Sequence, residues 1–125
     1  MTLEEKRKLL AKLAEELAQC ADEMVQLLSE HGEENWTRIY AAFAHDIRKA
    51  QTDKKRRAAI DDIQSIYGGM GSWNDFYLQA LGEAEDTRLS LSAAISSDAE
   101  KMLEVIEAGP AEPSTSLWQR LNPFA

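Results

Sequence analysis

The sequence predicts an all-α protein, a single-domain bundle of four to five helices with a long N-terminal helix. Two observations predict this class: apolar residues recur at helical spacing through most of the chain, and no segment shows the apolar–polar alternation of a half-buried strand. The length of 125 residues suits one domain with one hydrophobic core. We place this domain at residues 1–109 and assign 110–125 to a Pro/Ser-rich linker and an apolar C-terminal tail.

The first helix is predicted to follow Thr2 and to run to about Glu30. Thr2 and Glu5 have the spacing of a capping box, and Gly32 favours termination of the helix. Apolar residues seven apart form a heptad stripe made of Leu3, Leu10, Leu17 and Met24. A companion stripe beside it is made of Leu13, Cys20 and Leu27. Such a stripe either faces the core of a bundle or pairs two copies of the chain.

Two further helices are predicted in the middle of the chain. The acidic pair at 33–34 suits the positive end of a helix dipole, and apolar residues at helical spacing continue from there to Ala50. Thr52 or Asp53 then caps a third helix. The glycine-rich segment from Tyr67 to Ser72 ends that helix, because glycines readily adopt positive φ angles.

The last part of the helical domain is predicted to contain a short helix and a long one. Ser72 is a suitable N-cap for a short helix that begins at Trp73. A longer helix covers about 83–108, and the pair Gly109-Pro110 ends it. The sequence leaves open whether residues 73–108 form one kinked helix or two.

The formal net charge of −8 is unevenly distributed. Residues 48–57 carry six basic residues and one acidic residue, a sum of +5, which leaves −13 for the rest of the chain. The overall charge argues against general nucleic-acid binding, which depends on phosphate neutralisation. The basic cluster is interpreted as a solvated segment that offsets nearby carboxylates; its members are Arg48, Lys49, Lys54, Lys55, Arg56 and Arg57.

The sequence predicts no catalytic residue, no cofactor and no metal site. His31 and His45 are the only histidines, and neither has a Glu three residues before it, as a di-iron bundle requires. Cys20, the single cysteine, lies on the apolar stripe and is predicted to be a small core residue, while Ser72 has no base nearby in sequence. One cysteine and no long apolar run indicate a cytoplasmic protein without a membrane span.

Two segments carry a family resemblance. They are LLSEHGEENW at 27–36 and IYGGMGSWND at 66–75. Together they resemble a small bacterial helical family with a YGGMGS(F/W)ND turn motif, whose members look like the immunity partners encoded beside bacterial toxins. The resemblance covers roughly residues 20–82 and implies no catalytic residues. From the residues alone, the turn is either a tight interhelical connection or an exposed recognition loop.

The leading functional hypothesis is an immunity protein that neutralises a cognate bacterial toxin by occlusion. An acidic surface favours a basic protein partner, and a nuclease is a natural one because it grips phosphates in a basic cleft. Large aromatic residues commonly anchor such interfaces. The predicted partner-binding residues are Glu83, Asp86, Glu100 and Glu104 for charge, with Trp73 and Tyr77 as aromatic anchors.

Two alternatives belong to other functional classes. The first is a helical homo-oligomeric adaptor or scaffold, in which the heptad stripe of the first helix forms a homodimer. The second is a sensor of a small anionic ligand centred on Gly68 to Ser72, where backbone N–H groups could face an anion.

Overall fold

A computed structural model describes residues 1–67, 73, 76, 78 and 82–111 of this chain. These residues form four helices that pack together: α1 (Leu3–Glu30), α2 (Glu34–Lys49), α3 (Asp53–Gln64) and α4 (Glu83–Ala108). No strand occurs among the described residues. The all-α class and the long N-terminal helix are therefore confirmed.

The helix ends agree with the local signals in the sequence. Thr2 Oγ1 accepts a hydrogen bond from the backbone N–H of Glu5 at 3.1 Å, and Glu5 Oε1 accepts one from the backbone N–H of Thr2 at 3.2 Å. Gly32 follows α1 with a φ of 72°, a conformation that favours glycine. Thr52, not Asp53, caps α3, because its Oγ1 accepts from the N–H of Lys55 at 3.2 Å.

The four helices surround one core in the order α1, α2, α3, α4. Helix α1 packs against α2 and α4, and α3 closes the bundle by packing against the same two helices. The end of α4 lies beside the start of α1, since Lys6 Nζ donates to the carbonyl oxygen of Ile106. Neighbouring helices therefore run antiparallel, as in an up-down-up-down bundle.

The heptad stripe of α1 lies inside this bundle. Leu10, Leu17 and Met24 are fully buried, together with the alanines between them. Leu13, Cys20 and Leu27 are half-buried and pack against the same core. In the folded chain α1 packs against α2 and α4, and the buried members of the stripe belong to the common core.

We expect Leu17→Ala to lower the free energy of unfolding by about 3 kcal/mol, because a fully buried leucine leaves a cavity when it is truncated. Urea denaturation followed by circular dichroism measures this change. Leu89→Ala is the matched control, because Leu89 is 53% exposed, and we expect it to change stability by less than about 0.5 kcal/mol. Equal effects of the two substitutions would contradict the inward orientation of the stripe.

Several sequence predictions lie outside the described residues. They are the turn at 68–72, most of the predicted short helix including Tyr77, and the tail at 112–125. Gly82 directly precedes α4 with a φ of 66°, so α4 begins at Glu83. Among the helices of the described part, none is both long and apolar enough to cross a membrane.

Candidate functional site

The outward side of α4 carries the predicted acidic residues. Glu83, Asp86, Glu100 and Glu104 are all exposed, and Glu107 in the last turn is exposed as well. We call these five residues the acidic face. Asp86 and Glu104 are eighteen residues apart, which is five helical turns, so they lie on one line about 27 Å long.

The acidic face is a consequence of the way α4 packs. Ile95, Ala99, Met102 and Ile106 of the same helix are buried in the core. Helical periodicity places the acidic residues on the opposite side. Leu89 is exposed one turn after Asp86, so this side also presents one large apolar side chain. The charged half of the predicted surface therefore has the expected exposure.

Trp73, in contrast, does not lie at the surface. Its side chain is 1% exposed, so in this fold it offers almost no surface to a partner. Its ring centroid is 5.0 Å from that of Trp36, 4.9 Å from that of Tyr40 and 5.2 Å from that of Phe76. Trp73 is thus the centre of an aromatic cluster that packs between α2 and α4.

Arg88 covers one side of this aromatic cluster. Its guanidinium carbon lies 4.8 Å from the ring centroid of Trp73 and 5.3 Å from that of Phe76. Such cation–π contacts are worth about 2 kcal/mol when the cation is desolvated, and Arg88 is buried. Arg88 therefore joins the inward side of α4 to the segment around Trp73.

Glu85 holds Arg88 in this position. Arg88 Nε donates to both carboxylate oxygens of Glu85, and the same carboxylate accepts from the backbone N–H of Leu78 at 2.9 Å. The hydrogen bond from Arg88 is the largest cause that lowers the pKa of Glu85 below its usual value. This carboxylate is consequently used within the fold and does not belong to the acidic face.

Ser92 gives the aromatic cluster a polar contact to α4. Trp73 Nε1 donates to Ser92 Oγ at 2.9 Å, and Ser92 Oγ donates to the hydroxyl of Tyr67 at 3.2 Å. The Tyr67 hydroxyl in turn donates to the carbonyl oxygen of Ser92 at 3.3 Å. Burial raises the pKa of the neighbouring Tyr40 hydroxyl well above its ordinary value. These hydrogen bonds satisfy polar groups inside the fold. The aromatic cluster therefore has a structural role.

The basic cluster at 48–57 is divided between several roles. Arg48 bonds the carboxylates of Glu15 and Asp22 on α1, with Nη2 3.0 Å and 2.8 Å from their oxygens. The hydrogen bond from Arg48 lowers the pKa of Glu15. Arg56 is buried, and its Nη1 lies 3.6 Å from Asp53 Oδ1. Lys49, Lys54, Lys55 and Arg57 are exposed.

The remaining reactive residues do not converge. Burial is the largest cause that raises the pKa of the Cys20 thiol, so this group stays protonated and apolar at neutral pH. Both His31 and His45 are exposed. Within the described residues, no group of three or more His, Cys, Asp or Glu side chains could hold a metal ion.

Fold and surface together define a small helical-bundle protein whose last helix presents an acidic outer face. Residues 29–86 match the Domain of unknown function (DUF6966). The matched range runs from the end of α1 to the start of α4 and includes Trp36, Tyr40, Trp73 and Phe76. Comparison with curated proteins gives no significant match, and comparison with solved structures gives none either.

Most of the acidic face lies beyond the matched range. Glu83 and Asp86 fall at its end, whereas Glu100, Glu104 and Glu107 lie after it. Nearly all of α1, including Lys6 and Leu10, lies before it. The matched segment thus supplies the aromatic cluster, and the flanking helices supply the acidic surface and much of the core.

Proposed function

We propose that this protein is an immunity protein that binds and neutralises a cognate bacterial toxin, acting in the cytoplasm as a binding protein rather than as an enzyme. The observation that supports this proposal is the acidic face of α4. Its acidic residues form two groups, one in the first turn of the helix and one towards its end, and the core packing of the bundle uses only the opposite side of the helix.

The charge of this surface suggests the class of toxin. Exposed carboxylates accelerate association with a basic partner and disfavour acidic ones. A nuclease has a basic cleft because it must neutralise phosphates. The acidic face would cover such a cleft and exclude the nucleic acid, which is inhibition by occlusion.

Leu89 takes the place that the sequence analysis gave to Trp73. Interfaces combine charged groups at the rim with apolar anchors that become fully desolvated. Leu89 is 53% exposed and lies beside Asp86, while Trp73 is held in the core. Leu89 is therefore the described apolar residue that this surface can offer to a toxin.

The proposal is tested by co-expressing the protein with the products of neighbouring genes and isolating the complexes. We expect one product to co-purify and to lose its toxicity when the protein is present. In the triple variant Asp86→Lys, Glu100→Lys, Glu104→Lys, we expect the association rate to fall by at least about tenfold at low salt, because electrostatic steering is reversed.

A second triple variant is the matched control. Glu16→Lys, Glu23→Lys and Glu30→Lys make the same change in net charge on exposed positions of α1. This variant should retain most of the association rate. A similar loss in both variants would show that net charge, and not the acidic face, is responsible. If no neighbouring product binds or is neutralised, the proposed function is wrong.

A further inference from the structure

An open groove lies between α2 and α3, away from the acidic face. It has a volume of about 590 Å³. Ala50, Ala58 and Ala59 give it a floor of small apolar side chains, with Lys49 and Lys55 alongside. Asp46 and Asp62 also line the groove. A groove of this kind accepts large apolar side chains, because its floor contributes only methyl groups and lysine stems.

The chain after α4 is fixed in place beside the start of α3. The carbonyl oxygen of Pro110 accepts from Lys6 Nζ at 2.6 Å, and the same ammonium donates to Asp53 Oδ2 at 2.9 Å. Gly109 is closely packed here, since a Cβ at this position would lie 2.6 Å from Lys6 Cδ. The chain at Pro110 is therefore held close to Asp53 by contacts of Lys6.

This exit brings the C-terminal tail within reach of the groove. Asp53, which shares the Lys6 ammonium with Pro110, is two residues from both Gln51 and Lys55 of the groove lining. Five residues, 112–116, connect Ala111 to Leu117. In an extended conformation this connection spans up to about 20 Å, which is the distance over which it can carry Leu117 towards the groove.

The tail also has suitable chemistry. It carries four large apolar residues within eight positions, namely Leu117, Trp118, Leu121 and Phe124. Three of them follow the four- and three-residue spacing with which a helix fills a groove. Arg120 lies among them, and the groove offers the carboxylates of Asp46 and Asp62.

We propose that residues 117–124 of the same chain occupy the α2–α3 groove. Burial of the four apolar side chains over the alanine floor supplies the driving force, and Arg120 faces a groove carboxylate. The inference does not depend on the proposed toxin binding, because the acidic face is on another helix.

Paramagnetic relaxation tests the position of the tail. A nitroxide is attached to Lys55→Cys at the groove edge, in a Cys20→Ser background that has no other thiol. We expect the amide signals of residues 117–124 to lose most of their intensity. A nitroxide on Ala93→Cys, on the outward side of α4, is the control, and the same signals should keep their intensity there.

A blocking variant separates docking from mere proximity. Ala58 is exposed, so Ala58→Arg fills the groove without disturbing the core, and it should restore the tail signals in the Lys55-labelled protein. Ala93→Arg should leave them broadened. The proposal is overturned if the Lys55 label does not affect the tail. It is also overturned if broadening arises only between labelled and isotope-enriched copies in a mixture, because a second copy would then fill the groove.

Discussion

Replacement of Trp73 by alanine should lower the free energy of unfolding by about 3–5 kcal/mol. The indole is 1% exposed and contacts three other aromatic rings. Its removal leaves a large cavity, takes away a ring from beneath Arg88, and leaves Ser92 Oγ without the indole N–H. Urea unfolding with an unchanged slope measures the loss as a shift in midpoint.

Trp73→Phe serves as the graded control for this prediction. It keeps an aromatic ring in the cluster but cannot donate to Ser92, so we expect a smaller loss than with alanine. A double-mutant cycle with Ser92→Ala isolates the indole–hydroxyl hydrogen bond, whose net contribution should be about 1 kcal/mol. If Trp73→Ala cost less than about 1 kcal/mol, Trp73 would have to be accessible to solvent.

The helices could be predicted because their signals are local. The capping box of Thr2 and Glu5 involves residues three apart, and the Thr52 cap likewise reaches only to Lys55. The exposure of Asp86 and Glu104 could also be predicted. Both residues follow the helical period that sends Ile95 inward, and this needs no knowledge of distant contacts.

The burial of Trp73 could not be predicted in the same way. Its position next to a glycine-rich segment left open whether it belongs to a tight interhelical connection or to an exposed recognition loop, because its contacts come from Trp36, Tyr40 and Arg88 on two other elements. A local sequence pattern cannot predict such long-range packing. The partner of the α1 stripe could not be predicted for a related reason, because a heptad stripe has the same pattern whether its partner is another chain or another helix.

The charged residues inside the core were not predicted from the sequence, although the helical period indicates them. Lys6 lies four residues before Leu10 on the stripe of α1, and Arg88 lies three residues before Leu91 on the inward side of α4. A charged residue at an apolar position of the helical period indicates a buried, paired charge. The groups that pair with Lys6 could not be predicted from the sequence, because they lie 47 to 104 residues away along the chain.

The second large effect is expected for Lys6→Ala, which should lower the free energy of unfolding by about 3–5 kcal/mol. Lys6 is 1% exposed, and its three ammonium bonds reach Asp53, the carbonyl oxygen of Ile106 and the carbonyl oxygen of Pro110. The substitution leaves a partly buried carboxylate without this cation and removes the donor from two carbonyl groups. It also removes the side chain that links the start of α1 to the start of α3 and the end of α4.

Lys8→Ala is the matched control on the same helix. Lys8 Nζ lies 3.6 Å from Glu4, and the two side chains are 78% and 80% exposed, so this pair contributes no more than about 0.5 kcal/mol. In urea unfolding, Lys6→Ala should therefore lose several times more free energy of unfolding than Lys8→Ala. Added salt should reduce the small effect at Lys8 and leave that at Lys6 largely unchanged, because buried pairs are weakly screened. Equal losses in the two variants would show that the ammonium of Lys6 does not hold the three helix ends together.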